Sequence, residues 1–349
     1  MKHVNVVVIG CGVAGSVFAM HAPTHQSICI IDKKNLKDNV GFKKPCGGLL
    51  APDAQKTLAR LAIPLPVDVC ASPQLFSVKT HDLQSKITRH YQRHYINLHR
   101  DHFDRYLASL LPPHVNVVDE ATVKSLDLKE KKLTYIQHNE THELSFDVCV
   151  GADGANSLVR SHLNAPKIRQ YLAIQEQFEL RDCPPHLGCF FDASLTDSYA
   201  WINIKDDILE FGGAFPLKDS LKRYEQFKSK MNDLGYPLTH PLHKEACLVN
   251  SPKTLSEIYL GKKDVLLIGE AAGWISPSSL EGMSYAMDSA IIAAQALKSS
   301  QPHLSYRKLS QPLKLKIFLK QLKSVVLYTP WIRWCVMKSG LDEIKVRQQ

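Results

Sequence analysis

The sequence predicts an α/β fold: a Rossmann-like domain with an antiparallel β-sheet domain inserted into it, followed by C-terminal helices. Three observations predict it. First, an apolar strand, a G-x-G-x-x-G turn, a helix and a second strand ending on an acid all fall within the opening 32 residues. Second, two further apolar strands, within 146–150 and 264–268, run directly into glycine turns. Third, the stretches near 71–95 and 166–254 alternate apolar and polar residues, as in Gln74-Leu75-Phe76-Ser77-Val78-Lys79 and Ile208-Leu209-Glu210-Phe211. That alternation is the period of antiparallel strands with one face on a core.

Each part of the opening unit has a physical task. Val4 to Ile9 reads as a buried parallel strand, Gly10-Cys11-Gly12-Val13-Ala14-Gly15 as the turn, and Ser16 to His21 as the start of a helix. Gly10 permits the tight turn, Gly12 lets backbone N–H groups approach a pyrophosphate, and Gly15 lets the helix pack closely on the strand. Val13 and Ala14 lie in the same cradle, where a helix N-terminus offers unpaired donors and a favourable dipole. Ser27 to Ile31 forms the second strand, which ends on Asp32-Lys33. Asp32 stands 22 residues after Gly10, where a carboxylate accepts hydrogen bonds from ribose hydroxyls. This unit binds a dinucleotide, and taken alone it leaves NAD and FAD both open.

The later strands bear on that choice. Phe146 to Val150 leads into Gly151-Ala152-Asp153-Gly154-Ala155-Asn156-Ser157, followed by Arg160. Asp264 to Ile268 leads into Gly269-Glu270-Ala271-Ala272-Gly273, with a helical run from Gly282-Met283 to Leu297. These segments resemble the second and third fingerprints of the FAD-dependent oxidoreductases of the aromatic-hydroxylase and geranylgeranyl-reductase superfamily. The resemblance spans about the first 300 residues and implies FAD as the cofactor. It implies that Ala152, Asp153 and Gly154 line the flavin nucleotide, that Gly269-Glu270 reaches the ribityl chain, and that Gly282 and Met283 open the helix facing pyrophosphate and flavin. The superfamily usually has G-D where this chain has Gly269-Glu270, one methylene longer.

Other segments extend the resemblance. Ile96 to Asp104 looks like the strand-to-helix step whose arginine, here Arg100, lies near the flavin. Glu120-Ala121-Thr122-Val123 resembles the strand where a main-chain group meets the adenine, which implicates Thr122 and Val123. Lys43-Lys44-Pro45-Cys46-Gly47-Gly48-Leu49 matches the K-P-C-G-G loop of geranylgeranyl reductases, which brings Cys46, Gly47 and Gly48 over the flavin ring. Ser198-Tyr199-Ala200-Trp201 carries the Y-x-W core of their substrate-cavity motif, without the Phe-Pro that usually follows. Cys46, Tyr199 and Trp201 are therefore the candidate catalytic residues. Cys46 is either a proton donor or a group packing on the ring. The two aromatics either line the cavity or fill a core.

The order of segments places the FAD-binding domain at 1–70, 96–165 and 255–300, the substrate domain at 71–95 and 166–254, and a basic helical segment at 301–349. Charged residues at 22% and apolar residues at 44% are ordinary for a globular chain of 349 residues. No run approaches 18 consecutive apolar residues. Nine cysteines include no C-x-x-C pair and no Cys/His cluster at zinc spacing, so no metal is expected. The first strand begins at the N-terminus, and a reducing cytoplasm is the compartment expected.

Charge is unevenly placed. Formal net charge is +9, yet residues 289–341 hold nine Lys or Arg and no Asp or Glu. Leu315, Leu319, Leu322 and Val326 share one helical face flanked by Lys316, Lys320 and Lys323, with Tyr328, Trp331 and Trp334 following. Such a helix either packs its apolar stripe on the protein or lies on an anionic membrane surface. Nucleic acid is a poorer partner, because no recognised binding motif accompanies the charge.

The function expected is that of an FAD-dependent oxidoreductase. No second G-x-G-x-x-G is present, so an external donor, NAD(P)H or a reduced carrier, would reduce the flavin in a transient encounter. Hydride transfer to a C=C bond of a prenyl or other lipid-like substrate is the leading reading. A monooxygenase using NAD(P)H and O₂ is the second, and a non-catalytic FAD-containing resistance or binding factor is the third. The same fold serves all of them.

Overall fold

The computed structural model describes residues 2–38, 45–180 and 186–346. Along the chain the elements are β1 (Lys2–Ile9), α1 (Val13–His21), β2 (Ile28–Ile31), β3 (Leu49–Leu50), α2 (Pro52–Arg60), β4 (Leu75–Asp82), β5 (Ile87–Asn97) and α3 (Arg100–Ser109). There follow β6 (Val115–Val118), β7 (Ala121–Asp127), β8 (Lys132–Gln137), β9 (Glu140–Gly151), α4 (Leu158–His162), β10 (Gln170–Glu179), β11 (Leu187–Phe191), β12 (Ala200–Lys205) and β13 (Ile208–Pro216). The chain ends with α5 (Ser220–Asp233), β14 (His243–Asn250), β15 (Gly261–Lys262), β16 (Val265–Leu267), α6 (Met283–Ala296), α7 (Pro302–Leu309), α8 (Gln311–Tyr328) and α9 (Pro330–Ser339).

Two eight-stranded sheets result. The first runs β15-β16-β9-β1-β2-β6, with β7 and β8 joined to it through β9. Its centre is parallel: Val6, Val7 and Val8 of β1 pair with Val148, Cys149 and Val150 on one side and with Ile28, Cys29 and Ile30 on the other. Apart from the half-buried Val148 these β-branched and apolar side chains are buried on both faces, as a covered parallel sheet requires. Helix α1 begins at Val13, three residues earlier than the sequence suggests, so Gly12 is its N-cap.

The second sheet runs β14-β10-β13-β12-β11-β4-β5-β3. It unites the alternating segments but departs from the expected sheet in two ways: β4 and β11 pair parallel, and β3, from the stretch assigned to the first domain, joins its edge. One face is apolar: Ile174, Phe190, Ile202, Phe211 and Phe215 bury against Tyr224, Phe227 and Met231 of α5. The opposite face carries Trp201, Asn203 and Lys205 of β12 and Glu210 and Gly212 of β13, and it turns toward the glycine-rich loop at 46–48. β13 is buried almost throughout, so its alternation separates two covered faces rather than core from solvent.

The C-terminal helices leave the apolar stripe of 315–326 unburied. Leu315, Leu319, Leu322 and Val326 do not pack on the protein; they stay 40–60% exposed. Helix α8 instead buries Leu313, Ile317 and Gln321. Gln321 accommodates this by donating Nε2 to the Pro252 carbonyl at 3.3 Å. Lys316 is not a free edge lysine either, since it pairs with Asp53 at 3.2 Å. Among the described residues no helix is long and apolar enough to cross a membrane.

Candidate functional site

The glycine turns after β1, β9 and β16 converge at the C-terminal edge of the parallel strands, where open α/β sheets place their ligands. Gly10 N donates to Ile31 O at 2.9 Å, Ala152 N to Ile9 O at 2.8 Å, and Ile268 N to Gly151 O at 3.0 Å. Gly10 sits at φ +104°, and a Cβ there would lie 2.5 Å from Ala152 O. A Cβ on Gly15 would collide with the Gly10 carbonyl, so α1 could not close on the turn. At Gly12 a Cβ would meet nothing within 4 Å. The backbone at the start of α1, with Val13 and Ala14 in its first turn, therefore fronts open space. The cradle is dense where the elements pack and empty where a pyrophosphate would lie. It fits a dinucleotide.

Asp32 is nearly buried and holds the turn as well as facing its rim. Its carboxylate accepts from Cys11 N at 2.5 Å and from Lys34 N at 2.7 Å. Ala121 N donates to Asp32 O at 2.9 Å, which places Thr122 and Val123 of β7 just beyond the acid. Lys33 follows Asp32 on the loop leaving β2.

The second and third turns are braced from inside. Asp153 turns its carboxylate toward the protein, accepting from Ser157 Oγ at 2.5 Å and Leu158 N at 2.7 Å at the start of α4. Arg160 donates to Ala271 O at 3.1 Å and Glu257 O at 2.9 Å, tying the second turn to the third. Gly154 has φ +76° and opens on free space, beside Ala152 at the end of β9. Gly269 N donates to Ser289 Oγ at 2.9 Å. The longer side chain of Glu270 reaches β14, where Oε1 accepts from Asn250 N at 2.9 Å. Gly282 caps α6, and Met283 is buried as its first residue. Glu281 supplies the cap that Gly282 lacks, accepting from Ser284 N at 2.8 Å.

Beside this cradle lies a buried ionic network that sequence reasoning found only in part. Arg100 Nε pairs with Asp104 at 2.9 Å, and Lys34 Nζ pairs with the same carboxylate at 2.9 Å. Burial opposes ionisation of Asp104, but Arg100 and Lys34 outweigh it and hold the carboxyl at about 2. The i,i+4 spacing of Arg100 and Asp104 was a usable signal; Lys34, 70 residues away, gave none. Arg100 also reaches Cys46, with Nη1 3.9 Å from Sγ.

Cys46 stands half-buried on a loop clasped by the second sheet; Lys43 and Lys44 lie outside the described residues. Gly48 N donates to Cys46 Sγ at 3.4 Å, and Asn203 Nδ2 donates to Gly47 O at 3.2 Å. A Cβ on Gly48, at φ +61°, would crowd Lys205 Nζ at 2.5 Å. Lys205 faces Glu210 at 3.6 Å, and burial raises the affinity of that carboxyl for its proton. Sequence reasoning gave no site role to Asn203, Lys205 or Glu210. The clue was period two: Asn203 and Lys205 share the face of Trp201.

Tyr199 and Trp201 are neighbours, with ring centroids 5.7 Å apart. Tyr199 donates its hydroxyl to Ser279 O at 2.8 Å, between the third turn and α6. Trp201 donates Nε1 to Gln175 Oε1 at 3.2 Å and packs directly on Gly212. Around Trp201 a small apolar cluster forms from Leu75, Val78 and Leu187, with Leu49, Tyr95 and Cys189 partly buried against it. The structure thus gathers Cys46, Gly47, Gly48, Arg100, Tyr199 and Trp201 into one region. Thr122 and Val123 lie apart, beside Asp32.

A parallel sheet with three convergent glycine turns, roofed by a largely antiparallel sheet, is the fold of the Rossmann-type flavoproteins. Solved structures share the fold. A geranylgeranyl bacteriochlorophyll reductase-like protein from Thermoplasma acidophilum superposes with TM-score 0.78 at 19% identity, covering 94% of this chain and 88% of that one. PqsL, a probable FAD-dependent monooxygenase from Pseudomonas aeruginosa, gives 0.73 at 15% identity, covering 98% and 100%. The chain itself belongs to the CbrA family. It is 42% identical to Protein CbrA of Escherichia coli O6:H1 (strain CFT073) over 99% of this chain and 95% of that protein, and 41% identical to Protein CbrA of strain K12 over 99% of each. No family model matches the chain.

Proposed function

We propose that this protein is an FAD-dependent oxidoreductase that reduces a C=C bond of an apolar, prenyl-like or lipid-derived substrate. One observation carries the reading: the apolar cluster around Trp201 adjoins the Cys46–Gly48 loop. A substrate held there by shape and hydrophobic contact would face the same loop as the cofactor. Bound FAD, reduced by an external NAD(P)H or reduced carrier, supplies the hydride, and the protein supplies position and a proton. In this reading Gly10, Gly12, Val13, Ala14 and Gly15 hold the pyrophosphate, Asp32 the ribose, and Gly269, Glu270, Gly282 and Met283 the flavin side.

The reduction adds hydride to one alkene carbon and a proton to the other. In this reading Cys46, on that loop, donates the proton, and Arg100 orients its sulfur. Tyr199, anchored on Ser279 O, and Trp201, anchored on Gln175, shape the wall against which the alkene lies. Burial holds the Tyr199 hydroxyl well above its ordinary range, so it stays protonated.

The test is anaerobic. Flavin in the purified protein is reduced chemically and mixed with a polyprenyl diphosphate or an extracted lipid fraction. The expected outcome is reoxidation of the flavin with a mass gain of two hydrogens in the substrate. Failure with every lipid, together with oxygen uptake driven by a small aromatic and NAD(P)H, would replace this reading with monooxygenation. The PqsL likeness makes that the alternative to beat.

A further inference from the structure

We propose that the outward face of α8, together with the tryptophans of α9, is a docking surface for an anionic lipid bilayer. Leu315, Phe318, Leu319, Leu322, Val325 and Val326 form a single stripe at helical spacing, and each is 40–60% exposed. This is not a frayed helix. Its other side buries Leu313, Ile317 and Gln321, and Tyr328 at its end donates its hydroxyl to Ser278 O at 2.9 Å. A monomeric soluble protein rarely displays so continuous an apolar face without a partner for it. Helix α9 buries Arg333 and Met337 and leaves Trp331 69% and Trp334 41% exposed.

Charge selects the partner. Residues 289–341 contain nine basic and no acidic side chains. Lys314 borders one side of the stripe, and Lys320 and Lys323 the other. Among the described residues none of these three has a carboxylate partner, whereas Lys316 is matched by Asp53. A rigid helix with an apolar ridge, lysine margins and neighbouring tryptophans matches the geometry of an in-plane interfacial helix. A protein partner would be expected to bring carboxylates for the lysines and to bury the tryptophans in a shaped socket. A lipid surface needs neither.

The face also ends beside the proposed site. Tyr328 packs on Phe191 with centroids 6.1 Å apart, and Phe191 packs on Tyr199 at 6.2 Å. That continuity rests on the substrate reading above; lipid binding itself does not, so the two can fail separately.

The experiment uses the full flavin-loaded chain and vesicles of phosphatidylethanolamine with phosphatidylglycerol, against vesicles of phosphatidylcholine alone. Sedimentation should show binding to the anionic vesicles at low salt, weakening as salt rises. Brominated lipid should quench tryptophan emission, and Trp331→Phe with Trp334→Phe should remove that quenching. The Leu319→Glu, Leu322→Glu pair should lower partitioning by about tenfold or more, with melting temperature and bound flavin unchanged. Lys320→Glu with Lys323→Glu should move the salt midpoint downward, and it serves as the second variant if the leucine pair folds poorly. Absence of binding to anionic vesicles at low salt would overturn the proposal, as would undiminished binding by both variant pairs. A dimer by light scattering that the leucine pair splits would overturn it too, by showing that a second copy covers this face.

Discussion

Arg100 directs one guanidinium nitrogen at the sulfur of Cys46, 3.9 Å away, while its Nε is fixed on Asp104 at 2.9 Å. The thiol is thus oriented by a side chain that is itself locked, which suits a positioned group more than a packing filler. Cys46→Ser keeps the size of the side chain and changes its acidity and softness. The expected result is full flavin content and unchanged melting, with single-turnover oxidation of reduced flavin by substrate slowed by about tenfold or more. An unchanged rate would assign Cys46 to packing alone.

The same network predicts an acid-sensitive stability. The Asp104 carboxyl is held at about 2, below its ordinary 3.8, because Arg100 and Lys34 overcome its burial. A carboxyl depressed on folding stabilises the protein above its unfolded value and loses that contribution as pH falls through its folded value. The window is therefore about pH 4 down to about pH 2, and the contribution is about 2 kcal/mol. Asp104→Asn should melt well below the parent at neutral pH, with the gap narrowing below pH 4. A gap that stays constant to pH 3 would show that charge is not what Asp104 supplies.

Much of this was legible in the chain. Gly10 and Gly15 are fixed by steric need, and such needs leave an unmistakable residue type. Alternation in 71–95 and 166–254 revealed strands because a sheet with two unlike faces writes its period into the sequence. What stayed hidden was whatever depends on distant partners. Helix α8 has two apolar stripes, and nothing local says that the one containing Gln321 is the buried one. Pro252, which accepts from that glutamine, is 69 residues away. The pairing of Lys34 with Asp104 and the clasp of Asn203 on Gly47 are hidden for the same reason.

Asp32 has one task in the structure and a second in the proposed site, and they are separable. Its carboxylate ties Cys11 N and Lys34 N, and the proposed ribose contact comes in addition. Asp32→Ala should weaken FAD binding by about 1–3 kcal/mol, the range for hydrogen bonds to a charged group. It should also lower the melting temperature of the flavin-free protein, because two backbone donors lose their acceptor. Titration with FAD, read by flavin fluorescence, measures the first effect and calorimetry the second. A variant that binds FAD like the parent would remove Asp32 from the cofactor site.

The flavin itself should be non-covalent, since no His, Cys or Tyr stands in a recognisable attachment motif. Acid precipitation should leave a yellow supernatant and a colourless pellet. Flavin retained on the precipitated chain would overturn this.

Gly212 offers a way to move Trp201 without deleting it. A Cβ there would lie 2.6 Å from two carbons of the indole and 2.8 Å from Nε1, so Gly212→Ala must push the ring off the sheet. Gly212 does not have a positive φ, so the effect is contact and not backbone strain. Overpacking of this kind costs about 1–3 kcal/mol, which the melting temperature will report. If Trp201 forms the substrate wall, KM for the apolar substrate should rise several-fold while kcat and flavin content hold. Removing a contact made equally in ground and transition states has that signature. If Trp201 is only core, stability falls and KM stays where it was. The split between those two readouts therefore separates a substrate-facing aromatic from a buried one.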